Sequence, residues 1–197
     1  MRINNNLSTL PFLKILKASG AIKDKDKITP VSIYQLDDNE DLIEIRNLKT
    51  KPNWQGNYYL DDVTIFGKNY LNRGFDIHTI ENDTGDILCY SLIDETQNHV
   101  DVILLETAPK LSRYNSNRDV KYIGETMVAF LATFAKSKNK DLIVRGVADR
   151  RKTQDFYFSL CKFSRMGDEN AVLKKRTVKK LVENNEKHTG KKVELIG

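Results

Sequence analysis

The clearest periodicity in the chain lies between residues 75 and 137, where three runs rich in β-branched and aromatic side chains precede one helical pattern. FDIHTIEND, GDILCYSLIDE and HVDVILLETAP are separated by Asp83-Thr84-Gly85 and Thr96-Gln97-Asn98, polar breaks that suit hairpins, and together they predict an antiparallel meander. The third run contains VILLETA, apolar enough to predict a strand covered on both faces. After Pro109 a polar loop leads to Ile123, and ETMVAFLATFAKSKN then places Met127, Phe130, Leu131 and Phe134 on one helical face. DLIVRGVA predicts another strand. RKTQDFYFSLCKF predicts a second helix, with Phe156, Tyr157, Leu160 and Cys161 at three- and four-residue spacings. Strand, helix and strand in succession imply a parallel pair with a right-handed crossover, so the expected α/β fold is an antiparallel meander continued by a βαβ unit.

The flanks are read from weaker signals. STLPFLKILKASG has Ser8 or Thr9 as a cap, Pro11 in the first turn and Gly20 as a stop, which predicts an amphipathic helix and makes residues 1–22 a helical extension. ITPVSIYQL alternates as a strand does, and DDNEDLIEIRNLK reads as a helix opened by acidic residues at its positive end. Thr50 to Gly74 has no clear period and fits a loop and a helix. At the C-terminus AVLKKRTVKKLVENN predicts a basic helix and KKVELIG a last strand. At 197 residues the whole chain, 1–197, is most simply one domain with its own core.

Composition narrows the class. With 40% hydrophobic and 30% charged residues the chain is neither disordered nor fibrous. Cys89 and Cys161 lie far apart inside apolar runs and read as small buried hydrophobes, while His78, His99 and His188 lack metal-ligand spacing, so no metal is expected. The sequence has no signal-peptide pattern and no apolar stretch of about 18 residues, which predicts a cytoplasmic protein without a membrane partner. The net charge of +5 is unevenly placed: residues 1–112 carry −5, residues 113–165 carry +7 and residues 170–197 carry +5. A basic second half suits an anionic ligand, either a phosphate-bearing cofactor or nucleic acid, and equally a solvated lysine-rich surface.

The order of meander, loop, helix, strand and a helix with an aromatic pair resembles the N-acetyltransferase superfamily, GNAT, over residues 75–166. In that family acyl-CoA lies where the fourth strand splays from the fifth, and a loop of type [Q/R]-x-x-G-x-[G/A] holds its pyrophosphate at the next helix's N-terminus. The first N–H groups of a helix lack intrahelical partners and sit at its positive end, so they suit a phosphate. Laid on that loop, NRDVKYIGETM has Asp119 at the Gln/Arg position, Tyr122 at the first glycine and Gly124 at the second. Arg118 and Lys121 supply positive charge that Asp119 does not, and Glu125 opposes an anion unless it points away. The resemblance thus implies acetyl-CoA contacts from Arg118, Lys121, Tyr122, Ile123, Gly124, Glu125 and Thr126, and from Thr107 and Ala108 at the preceding strand end. The second helix resembles N-x-x-A-x-x-F-Y-x-x-x-G-F, with Arg150 at the Asn, Thr153 at the Ala, Phe156 and Tyr157 matching, and Lys162 replacing the glycine before Phe163.

These matches imply direct transfer of an acetyl group from acetyl-CoA to an amine. Tyr157 would protonate the departing thiolate, since a phenol near pKa 10 is not far above a thiol near 8.5. Glu106, at the end of VILLE, is the candidate base or substrate contact, and backbone N–H groups near Glu106 to Ala108 are candidate oxyanion donors. Neither cysteine suggests a covalent intermediate. A narrower resemblance, to acetyltransferases in which Ala-Pro and Trp/Tyr-Asn precede the cofactor loop, puts Tyr114 and Asn115 at the acceptor entrance and extends through Met166 and the terminal helix. The acceptor, whether small amine or protein, and a homodimer both stay open. The competing reading is an inactive binding module of the same fold that contacts nucleic acid through Lys174, Lys175, Arg176, Lys179 and Lys180.

Overall fold

A computed structural model describes residues 15–36, 45, 47–55, 74–111, 119–147 and 151–196. Five antiparallel strands run in chain order: β1 (Ile15–Asp24), β2 (Lys27–Leu36), β3 (Phe75–Glu81), β4 (Ile87–Glu95) and β5 (His99–Thr107). The predicted three-strand meander is therefore extended by β1 and β2. A short strand, β6 (Val120–Lys121), precedes the main helix α1 (Ile123–Ser137), and β7 (Asp141–Val144) returns parallel to β5. Helix α2 begins as an α turn, Arg151–Gln154, and continues as a π turn, Asp155–Leu160. A hairpin of β8 (Ser164–Met166) and β9 (Asn170–Leu173), helix α3 (Val178–Thr189) and β10 (Glu194–Leu195) complete the sheet, ordered β10-β1-β2-β3-β4-β5-β7-β9-β8 with β6 also on β1.

Two expected helices give up residues to strands. Residues 15–20 of the predicted N-terminal helix belong to β1, because Lys25 and Asp26 both take positive φ and close a two-residue turn that pairs Asp24 with Lys27. Lys-Asp is an unusual pair for that turn, which hid the hairpin. Gly20, read as a helix stop, is instead a point of close approach: a Cβ there would stand 3.1 Å from Thr126 Cγ2 and 3.4 Å from Val193 Cγ2. The basic helix expected from Ala171 starts only at Val178, because Ala171-Val172-Leu173 pairs with β7 as β9. Of DDNEDLIEIRNLK, the described Ile45 and Asn47 are helical.

The sheet is covered on both faces. One face packs against α1 and α3 in a cluster that includes Ile33, Val100, Val102, Met127, Phe130, Leu131, Leu181 and Val182. Met127, Phe130 and Leu131 are fully buried, and burial of each such side chain stabilises the fold by about 1.5–3 kcal/mol. The other face carries Leu36, Ile77, Tyr90 and Leu92 under Ile45, Leu48 and Trp54. Trp54 stacks on Tyr90 with centroids 5.4 Å apart and donates its indole N–H to the Ile87 carbonyl at 2.9 Å. The fully covered strand is β4, with Ile87 to Ile93 all buried, whereas β5 is buried only from Val100 to Val102. The expectation for VILLETA fails where, among the described residues, its second half has no strand on the edge opposite β4, which defines the candidate site.

Candidate functional site

Parallel pairing of β5 with β7 stops at Val102 and Val144, while β5 runs on to Thr107. Two features sit at the fork. The register on β4 shifts so that Leu92 faces Leu104 and Ile93 faces Val102, leaving Ile103 as a bulge that is 39% exposed and bends the strand away. Asp101, buried between the strands, takes Arg145 Nε at 3.0 Å and Nη2 at 2.6 Å on one oxygen, fixing the chain just after β7 to β5. Beyond the fork, among the described residues, no strand pairs with residues 103–107 on the edge opposite β4.

Ladder alternation decides which backbone groups face that notch. The Ala108 N–H donates to the Leu88 carbonyl at 3.0 Å, which makes Leu88 and Ala108, and two residues on Tyr90 and Glu106, hydrogen-bonded pairs. The N–H and C=O of Leu105 and Thr107 therefore point away from β4 into the notch. Of the oxyanion donors expected between Glu106 and Ala108, only Thr107 faces the right way; Ala108 is committed to Leu88.

Side chains alternate too. Glu106 shares a face with Tyr90 and so lies on the Trp54 side, half-buried. Thr107 points to the opposite face, where its Oγ1 stands 3.9 Å from Cys89 Sγ and 3.4 Å from the place a Cβ would take at Gly124. Gly124 is in the first turn of α1, with the Phe156 ring 3.5 Å from that same place. The strand end, the helix start and the Phe156 ring thus lie together. Burial, the largest influence, pushes the Cys89 thiol up, offset in part by Thr107 and reinforced by the Glu106 charge, which disfavours a thiolate there.

The fold is that of the GNAT acetyltransferases. AtaTR bound with acetyl-CoA matches with a TM-score of 0.54 at 17% identity, over 77% of this chain and 97% of that one. The PaiA N-acetyltransferase of Thermoplasma acidophilum, in complex with coenzyme A, gives 0.52 at 16%, over 73% and 98%. A single-site mutant of the spermidine N-acetyltransferase SpeG of Vibrio cholerae gives 0.52 at 11%, over 75% and 95%. No protein-family model and no curated protein matches the sequence.

On this GNAT fold the candidate cofactor loop is pinned from outside the motif. Val120 and Lys121 pair as β6 with Asp24 and Lys23, and the Lys25 N–H donates to the Asp119 carbonyl at 3.2 Å. Lys121 lies 3.6 Å from Asp26, and Asp119 lies 3.8 Å from Lys25, exposed pairs of little energetic weight that spend part of the loop's charge locally. Tyr122 is the N-cap of α1 in the left-handed region, φ +69°. Ile123 is core, and Thr126 turns inward, its hydroxyl donating to the Ala21 carbonyl at 2.9 Å. Glu125 also points away from the surface: its carboxylate is 1% exposed and meets His188 of α3. Thr153 is half-buried on α2. Arg118, Arg150, Tyr114 and Asn115 lie outside the described residues.

Tyr157 is buried on the α1 side, edge-on to Phe156 at 4.9 Å and to Phe163 at 5.5 Å. Tyr157 to Lys162 is one residue longer than the family spacing between tyrosine and glycine, and the π turn absorbs the extra residue, with the Cys161 N–H reaching back five residues to the Phe156 carbonyl. Lys162 has φ +62°, the conformation in which a glycine is favoured, so the motif's backbone shape survives the substitution. In the basic C-terminal segment, Lys174 Nζ binds Asp141 at 3.0 Å and Lys175 Nζ binds Asn139 Oδ1 at 2.7 Å, so two of the five cations stitch β9 to β7 and leave the nucleic-acid reading with less. Among the described residues no group of three or more His, Cys, Asp or Glu gathers as for a metal, and no helix is long and apolar enough to cross a membrane.

Proposed function

We propose that the protein is an acetyl-CoA-dependent N-acetyltransferase that moves the acetyl group directly to an amine. The observation that carries this is the notch itself: β5 leaves β7 after Val102, bulges at Ile103, turns the backbone of Leu105 and Thr107 to an open edge, and ends beside the first turn of α1. An extended amide-bearing chain pairs with such an edge as a strand would, and the pyrophosphate at its end meets the first-turn N–H groups of α1. AtaTR and PaiA, of the same fold, hold acetyl-CoA and coenzyme A.

A thioester lying in the notch is reached from both sheet faces. Glu106 is on the Trp54 face, and Trp54, which stacks on Tyr90, also lines a cleft of about 560 Å³ between residues 47–54 and 85–87 that is the candidate acceptor entrance. From there Glu106, directly or through water, takes a proton from the ammonium. The amine lone pair then attacks the carbonyl carbon to form the C–N bond, the Thr107 N–H stabilises the resulting oxyanion, and collapse of that adduct breaks the C–S bond while the nitrogen gives its second proton to water. Tyr157, on the α1 face, is the group placed to return a proton to the thiolate. Calorimetric titration with acetyl-CoA tests the reading: micromolar binding is expected, and absence of heat and of thermal shift at millimolar acetyl-CoA rejects it. Thiol release from acetyl-CoA across a panel of polyamines, amino acids and peptide amines then identifies the acceptor class.

A further inference from the structure

We propose that His188, on the C-terminal helix α3 and outside the two motifs at residues 118–126 and 150–163, is a positioning residue that holds the first turn of α1 in its anion-binding form; this rests on the acetyl-CoA reading above. One imidazole touches two residues of that turn at once. Its face stacks on the Tyr122 ring, with centroids 4.9 Å apart and planes 14° apart. Its Nδ1 stands 2.9 Å from Glu125 Oε1 and 3.1 Å from Oε2. One helical turn earlier on the same face of α3, Asn185 Nδ2 donates to Thr126 Oγ1 at 3.2 Å. Tyr122, Glu125 and Thr126 are thus all gripped from α3.

Each grip answers a problem in the loop. Tyr122 occupies a left-handed conformation that tyrosine does not favour, at the junction where the chain must turn its N–H groups outward, and the stack holds its ring against α3. Glu125 is an anion in the first turn of a helix whose positive end is to receive a pyrophosphate, so a carboxylate turned to the surface would compete with the ligand. The His188 ring N–H draws that carboxylate into the α1–α3 interface, where it is 1% exposed. The sequence departures at the first glycine and in the first turn are therefore matched by one residue supplied from elsewhere in the fold.

The test uses the full chain with His188→Ala, His188→Phe, which keeps the stack, and His188→Asn, which keeps a donor near the Nδ1 position. Acetyl-CoA Kd is measured by calorimetry and amide exchange by mass spectrometry. Expected are a Kd raised about tenfold in H188A, faster exchange confined to residues 122–126 with 127–137 still protected, and recovery of at least half the loss, on a logarithmic scale, in H188N or H188F. If the wild-type protein binds acetyl-CoA and H188A binds within twofold of it, the inference is overturned while the functional reading stands. Faster exchange spread over the whole of α1, with neither conservative variant recovering affinity, also overturns it. If the wild-type protein takes no acetyl-CoA, the functional reading falls and the inference with it.

Discussion

His78 sets a stability limit on the acid side that a single substitution should remove. The residue lies on β3, fully buried against Phe130 and Phe134 at centroid distances of 5.1 and 5.8 Å, and among the described residues neither ring nitrogen has a hydrogen-bond partner. Burial, followed by the charges of Lys17 and Lys138, lowers its pKa from 6.5 to about 3. The sign follows from proton counting: between pH 6.5 and about 3 the unfolded chain binds a proton that the folded chain refuses, so stability falls as pH falls through that window. At pH 5.0, about 1.5 units below the unfolded value, the loss is about 2 kcal/mol at roughly 1.4 kcal/mol per unit. His78→Leu is close in volume, cannot ionise and removes two unsatisfied buried nitrogens, so at pH 7.5 it should be about 1 kcal/mol more stable than wild type. At pH 5.0 that advantage should widen to about 3 kcal/mol, since other titrating groups cancel in the difference. Urea unfolding at both pH values, with unchanged m, measures it. A difference between the proteins that stays constant within about 0.5 kcal/mol from pH 7.5 to 5.0 would refute the assignment of His78 as a buried neutral group.

Other residues give separate tests. Gly124→Ala should fold with an unchanged or slightly higher Tm and bind acetyl-CoA within threefold of wild type, because its Cβ would meet Thr107 and Phe156 at ordinary contact distances and gains helix propensity; a tenfold loss would show that the site needs a bare backbone there. Tyr157→Phe should lower kcat by about a hundredfold or more with acetyl-CoA KM little changed, as for loss of a general acid; a variant with wild-type kcat would move that role elsewhere. Phe130→Ala should cost about 3–5 kcal/mol in urea unfolding, since its ring is fully buried against the sheet beside His78.

The local pattern was enough for the central elements. Period-two runs over residues 75–107 and the period near 3.6 over residues 123–137 reflect which side chains meet the core, and they yielded β3, β4, β5 and α1 with little error at their ends. The order of those elements also located the notch, because a parallel β7 after a meander puts α1's N-terminus beside the free end of β5. What failed was structure set by distant partners. Ile15–Gly20 carries a helical spacing, yet pairing with β2 and β10 makes it a strand; Ala171–Leu173 looks like the start of a basic helix until β7 claims it.

The site divides in the same way. Residue types and motif order pointed to Glu106, Thr107 and Gly124, each at the end of an element that periodicity had already defined, and to Tyr157 inside the helix that carries the aromatic pair. The sequence could not say that ladder alternation would spend the Ala108 N–H and leave that of Thr107 to the notch, since this depends on register with β4. Nor could it join Glu125 to His188 across 63 residues, because a hydrogen bond between two helices leaves no period in either. Residue pattern alone settles which segments form the core strands and helices and in what order. Which polar groups of those elements face the notch is settled on folding, because register and helix docking are long-range choices.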